Sequence, residues 1–341
     1  MSFSLVLVLQ PVAGIAMETD QYNLPRVPLS DIGAEVSEHV EENLFAAVAK
    51  LNADIAVHHA CIAVKRAGCY SPEKENKKLA YLRSNDAVAK ELYKLLGDGN
   101  IFVSKIGKWM NSHEFSGSPS RYKTSYGHSI YVAAPIDYAT ISPTVRLFGV
   151  EFGTDKLDHF FQQGFKYYKI HNKAVAKGST AEQATAKAIK WGKMTERTYF
   201  GLLVSGVYSN ADLYANYAGM KFYQGLTESL TIGDKTRPAP VVLNEGVWNI
   251  DNTALRENLL KSFLTDHLNE ALNPSGYAFT IFSSVRRAVK KYGCPDWQSI
   301  LPNTTKAGLD SRSASLEKWN GEDYGFTRKG KFVPVAACFE D

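Results

Sequence analysis

The stretch WGKMTERTYFGLLVSGVYSNADLYANYAG, residues 191–219, gathers the groups best suited to acid–base chemistry. Glu196 falls at the predicted end of a helix, among Trp191, Met194, Tyr199 and Phe200. A carboxyl group in apolar surroundings loses the solvation of its charged form, so its pKa rises. It then keeps a proton near neutral pH and can deliver it to a leaving oxygen. Downstream, Tyr208, Ser209 and Asp212 offer hydroxyl and carboxylate groups able to orient a water or to steady positive charge at a sugar carbon. Asn210, Asn216 and Tyr217 add polar and aromatic side chains fit to hold a substrate. The plainer alternative for Glu196 is a helix-end surface carboxylate paired with Lys193 or Arg197.

A second constellation is GTDKLDHFFQQG, residues 153–164, in which Asp155 and His159 are i, i+4 neighbours on one helical face. A carboxylate beside an imidazole could bind a metal or relay a proton. The structural alternative is a buried polar pair in which Asp155 fixes the tautomer of His159. Glu151, close upstream, is a reserve acid. The pairs His58-His59 and His267/Glu270 lack a spacing that builds a site and read as structural. The chain contains no P-loop, G-x-G-x-x-G, H-E-x-x-H, G-x-S-x-G or EF-hand pattern, which removes the usual nucleotide, zincin and serine-hydrolase readings.

A glutamate at a helix end, followed by a short β-leaning segment that leads to Tyr208, resembles the lysozyme-like glycoside hydrolases that cut peptidoglycan. The resemblance covers about residues 180–225 and is similar in particular to lysozymes of predatory bacteria acting on deacetylated peptidoglycan. It implies a lysozyme-like helical core with a small β-segment, Glu196 and Tyr208 as the reacting pair, peptidoglycan glycan as substrate and no cofactor. Asp212 would then favour the ammonium groups that deacetylation exposes. Arg197 follows Glu196 where many lytic transglycosylases carry serine, which turns the expectation toward hydrolysis. Two alternatives stand beside it: a metal-dependent envelope enzyme built on Asp155 and His159, and a non-catalytic envelope protein that binds glycan through aromatic side chains.

The elements that must position these groups are mostly helical. Ile32, Val36, Val40, Leu44, Ala47, Val48 and Leu51 recur at helical spacing and predict a helix over 31–53. A second surrounds Ala87–Leu96 and stops at Gly97; a third runs from Thr154 to about Lys177. Ser179 with Glu182 fits a capping box for the next, which ends near 195–198. Ser209 or Asn210 caps another through Tyr223; further helices are predicted at 253–272 and 281–292, with an irregular tail from Pro295. Strand signals are brief, at Ile130–Val132, Thr144–Leu147 and 201–209. The fold class is therefore mainly α (α+β), with a helical catalytic region over 17–233 and a helical or irregular extension over 234–341 packed on the same core.

Composition agrees with a globular protein. The 341 residues are 45% hydrophobic and 22% charged, with a net charge of +4 and no dense basic stripe, which speaks against a dedicated nucleic-acid binder. No apolar run approaches a membrane span, so stable insertion is not expected. Residues 1–16 read as a signal peptide cut after Ala16, although a positive start is missing; a buried strand over Ser4–Leu9 is the alternative. Residues 18–28 then read as a polar segment following a cleavage site, and a periplasmic or secreted location follows. Four cysteines allow two disulfides, and spacing favours Cys61 with Cys69 and Cys294 with Cys338.

Overall fold

The computed structural model describes residues 18–64, 69, 71–100, 103–255 and 258–339, so the expected leader lies outside the described residues. The helix predicted at 31–53 forms and runs further, as α1 (Gly33–Val64). Its stripe from Val36 through Leu51 is buried, with Val36, Val40, Leu44 and Leu51 fully covered. Short helices α2 (Pro72–Leu82), α3 (Asn85–Leu96), α4 (Lys105–Ser112) and α5 (Pro135–Ala139) follow; α2 and α3 pack on α1. Ile130–Val132 is a turn rather than a strand.

The antiparallel hairpin of β1 (Thr144–Leu147) and β2 (Val150–Gly153) turns at Phe148 and Gly149, both at positive φ. The Asp31 carboxylate accepts both turn N–H groups, at 2.8 and 2.6 Å, and ties the hairpin to the start of α1. The chain then enters one long helical run: α6 (Asp155–Asp158), a π-helical turn at His159–Gln163, and α7 (Gly164–Val175). A π-turn inserts one extra residue into the helical ladder and re-aims the side chains on either side of it. Next is α8 (Ala181–Arg197), whose capping box is Thr180 with Gln183, one residue later than the Ser179/Glu182 pair expected. After a turn at 198–206 come β3 (Val207–Tyr208) and α9 (Asn210–Gln224), capped by the Ser209 hydroxyl.

α7 and α9 cross where Gly164 meets Gly219, and a Cβ on Gly219 would stand 2.0 Å from the Phe160 carbonyl oxygen. Backbone cannot yield there as a flexible side chain could. Gly219→Ala should therefore lose about 2 kcal/mol or more, read as a lower urea midpoint at unchanged slope.

The remaining chain holds two hairpins, β4 (Leu230–Ile232) with β5 (Lys235–Arg237) and β6 (Val241–Asn244) with β7 (Val247–Ile250), and then α10 (Asn252–Leu255). The helix predicted over 253–272 does not form. Asn258 sits at positive φ and its side chain accepts the N–H groups of Leu260 and Lys261; Asn269 does the same for Ala271 and Leu272. Side chains that bond their own backbone compete with the helical ladder, and among the described residues α10 covers only the start of the span, with 3₁₀ turns at 261–263 and 266–268 beyond it. Beyond β8 (Gly276–Tyr277) lie α11 (Phe279–Ala288), a π-turn, α12 (Cys294–Ile300), α13 (Lys306–Ser315) and β9 (Lys331–Phe332), so the tail is more ordered than its sequence suggests.

The fold is mainly α with small antiparallel sheets. The three-stranded sheet β3-β8-β9 joins Tyr208 to the C-terminal part of the chain. One core packs α1, α3, α7 and α9 together; a second gathers Tyr22, Ile130, Val207 and Tyr277 with residues 285–338. Both draw residues from either side of position 233. The disulfides are Cys61–Cys69 and Cys294–Cys338, the pairing that spacing favoured. No helix among the described residues is long and apolar enough to cross a membrane.

Candidate active site

Four elements converge on one buried polar centre. Asp155, Lys156 and His159 come from α6 and the π-turn, Glu196 from the last turn of α8, Ser209 from the cap of α9, and Asp212 and Asn216 from its first half. Glu270 arrives from the irregular segment after the 3₁₀ turns, and Glu18 from the first described residue.

Lys156 is the pivot. Its ammonium is fully buried and lies 2.5 Å from Asp155 Oδ2, 2.6 Å from Asp212 Oδ1 and 2.5 Å from Glu270 Oε1. Burial alone would push this lysine down, but Asp155, Asp212 and Glu270 together hold it well above its usual value. His159 flanks the cluster, with Nε2 3.2 Å from Asp212 Oδ2 and Nδ1 3.1 Å from Asn216 Oδ1.

Glu196 sits on the other side of Asp212. It is 1% exposed, and no lysine or arginine among the described residues pairs with it; the Arg197 side chain is exposed and lines an outer groove. The surface ion pair weighed for Glu196 is thereby overturned. Its Oε2 accepts the Ser209 N–H at 3.3 Å, and its Oε1 is buried with no partner. Burial raises its pKa well above the carboxylate range and the neighbouring Asp212 charge raises it further. Asp212 behaves in the opposite way: burial would raise it, yet His159 and Lys156 hold it below its ordinary value.

Five carboxyl groups (Glu18, Asp155, Glu196, Asp212 and Glu270) thus face one lysine and one histidine in a water-poor interior. They cannot all be ionised, because each uncompensated buried charge costs several kcal/mol. Burial and the charges of Glu270 and Asp212 push Glu18 well up, and burial with Asp212 and Asp155 pushes Glu270 up to about 7 despite Lys156. Glu18, Glu196 and Glu270 each keep one oxygen with no hydrogen-bond partner among the described residues. The site therefore separates its acids from its ions, Glu196 among the former and Asp212 among the latter.

The other expected residues fall into two groups. Tyr208 is 5% exposed and its hydroxyl is buried without a partner, near enough to Glu196 for that charge to raise its pKa beyond what burial does. Ser209 is a hub, its N–H on Glu196 and its hydroxyl 3.3 Å from Glu270. Asn216 orients His159. Asn210 is spent elsewhere, bonding the backbone of Pro274 and Thr327. Tyr217 donates to Glu322 at 2.7 Å and faces a groove on the outer side of α8. Asp155 does not touch His159: it belongs to Lys156, and Asp212 and Asn216 hold the imidazole instead. The Lys156 ammonium already fills the space among Asp155, Asp212 and Glu270 that a cation would take. His159, Glu196 and Asp212 place one nitrogen or oxygen each within 4.8 Å of the others.

Lys156, Glu270 and Glu18 were not singled out as site residues in the sequence. Lys156 stands four residues before Phe160, on the apolar stripe of its helix, and a lone charge on such a stripe is the signal that marks it. Glu18 opens the segment read as a polar stretch following a cleavage site; residues 18–23 are buried, and Glu18 accepts the Ser205 hydroxyl at 2.6 Å. His58 bonds Glu75 and His267 bonds Thr265 and the Lys318 carbonyl, both structural. Glu151 lies apart in β2, its pKa raised by burial.

The turn at 198–206 covers Glu196. The Leu202 N–H bonds the Glu196 carbonyl at 2.8 Å, and a Cβ on Gly201 would stand 2.8 Å from Glu196 Oε2 and 2.3 Å from the Glu196 carbonyl oxygen. Tyr199, Leu203 and Val204 of the same turn expose apolar side chains. Comparison with protein families, curated proteins and solved structures finds no match to this chain.

Proposed function

We propose that the chain is an exported glycoside hydrolase with a lysozyme-like helical core, which cleaves the glycan strands of peptidoglycan with Glu196 as general acid. The observation that carries this reading is the opposed ionisation of two carboxyls on one centre, Glu196 kept protonated and Asp212 kept ionised. Pairs of titratable groups whose environments drive their pKa values apart mark acid and ion roles in a site. Glu196 protonates the glycosidic oxygen; the ionised Asp212, held by Lys156 and His159, adds to burial in keeping that acid protonated, by the repulsion of its charge. Tyr208 supplies a hydroxyl beside the acid for water or substrate. Asp212 spends its charge on Lys156 and His159 and offers no free carboxylate to a substrate ammonium. For a strand to reach Glu196 the 198–206 turn must lift, which breaks the Leu202 N–H bond to the Glu196 carbonyl. Two disulfides suit an oxidising compartment such as the periplasm or the exterior.

Glu196→Gln tests the reading. Glutamine still accepts the Ser209 N–H but carries no transferable proton, so clearing of a peptidoglycan suspension should fall about 10²- to 10⁴-fold with an unchanged circular dichroism spectrum. A variant that clears walls as fast as the parent removes Glu196 from the reaction. Elemental analysis belongs to the same experiment. Stoichiometric zinc or iron, with activity lost to chelators, would mean that His159, Asp212 and Glu196 serve a cation instead.

A further inference from the structure

The outer face of α8 borders an open groove of about 650 Å³, whose far wall is formed by Tyr217, Lys221 and residues 322–323. Ile189 and Met194 give it an apolar floor. Lys190, Lys193 and Arg197 line it at i, i+3 and i+7 of α8, one side of the helix. None of the three meets a carboxylate partner among the described residues. Of the acids of the groove, Glu322 is committed, receiving Lys221 at 3.0 Å and the Tyr217 hydroxyl at 2.7 Å, whereas Asp323 accepts the Gly325 N–H at 2.7 Å and keeps its charge. Glu182 stands at the opposite end of α8, in its first turn. Setting aside the Lys221–Glu322 pair, Lys190, Lys193 and Arg197 outnumber Glu182 and Asp323, so the groove is net positive, with its cations clustered toward one end. That end is Arg197, the residue after Glu196, and its guanidinium is near enough to Tyr208 to act on that hydroxyl.

We propose that this groove is a binding subsite for an anionic, partly apolar strand, and that it holds peptidoglycan by the carboxylates of its lactyl-linked peptide stems. The assignment rests on the peptidoglycan reading of the previous subsection. Lys190 and Lys193 take the carboxylates, Ile189 and Met194 take the alanine methyl groups and sugar faces, and Arg197 delivers the strand to the end of α8 where the 198–206 turn begins. Lysine ammonium groups on flexible stems suit carboxylates spaced along a mobile peptide, and such contacts weaken with salt.

The test is direct binding, measured by calorimetry in the Glu196→Gln background so that no turnover intervenes. The probes are a soluble disaccharide–tetrapeptide fragment of peptidoglycan and uncharged chitotetraose. The acidic fragment should bind about ten-fold more tightly than chitotetraose, and the Lys190→Ala/Lys193→Ala double variant should lose about ten-fold for the acidic fragment alone. Both exchanged residues reach solvent, and an unchanged thermal midpoint confirms the fold. Salt at about 0.5 M should erase the preference. Equal binding of the two probes, no binding of either, or an unaltered affinity in the double variant overturns the subsite. If the subsite fails while Glu196→Gln is still inactive, hydrolysis stands and the groove is idle. If the acidic fragment binds as described but Glu196→Gln still clears walls, the groove is a wall-binding surface without the acid.

Discussion

Exchanging Lys156 for methionine should cost about 3–5 kcal/mol of folding stability at neutral pH, a loss large enough to leave much of the protein unfolded at 37 °C. Methionine matches the lysine stem in length and keeps its packing, so the loss reads the charge and not the volume. Without the ammonium, Asp155, Asp212 and Glu270 face one another with no cation among them. Water cannot rescue them, because the side chains of all four residues are no more than 1% exposed. The carboxyls can respond only by taking up protons, so the deficit should shrink as pH falls. Urea midpoints of parent and variant at about pH 5 and pH 8 should differ more at the higher pH. Equal midpoints at both would mean that Lys156 does not hold the centre together.

The helices that position the acid were legible because their information is local. The stripe of α1, the start of α9 at Ser209 and the end of α8 near Arg197 follow from period, cap and breaker. Glu196 was legible for the same reason, as a carboxyl at a helix end among aromatic neighbours. What surrounds it was not. Lys156, Glu18 and Glu270 lie 114 residues apart in one case and reach the centre only through the packing of α6 against α9 and the path of residues 266–272. Asp155 and His159 were correctly placed on one helical run, but their partners, Lys156 for the one and Asp212 with Asn216 for the other, are set by packing against α9, and no pattern of side-chain types announces the π-turn that starts at His159. The failure at 253–272 has a different origin. Apolar spacing there fits a helix, yet Asn258 and Asn269 bond their own backbone and break it, a competition that periodicity does not register.

Stability should fall as pH rises from about 5 to 8, the reverse of the usual behaviour of a protein stabilised by ionised carboxylates. Two buried acids dictate the sign. Burial lifts Asp158 from an ordinary 3.8 to about 7 even though it accepts the Ser104 N–H and hydroxyl at 2.7 and 2.5 Å. Glu270 rises from 4.5 to about 7. Between the ordinary and the folded values the native protein keeps protons that the unfolded chain has released. Their stabilisation is complete below the ordinary values and drains away as pH climbs through about 7, by roughly 1.4 kcal/mol per unit for each group. Asp212 contributes with the opposite sign, but its loss comes only below its ordinary 3.8, outside this window. Asp158→Asn isolates one of the two contributions. Both Ser104 bonds fall on a single oxygen, which asparagine retains, so the cap on α4 persists while the titration disappears. The variant should already exceed the parent by about 1–2 kcal/mol at about pH 5 and by about 4 kcal/mol at about pH 8, with a flatter decline between them. A parent midpoint that rises with pH over this interval, or a variant whose decline parallels the parent, would show that Asp158 is already ionised in the native protein and that the interior of α6 tolerates the charge.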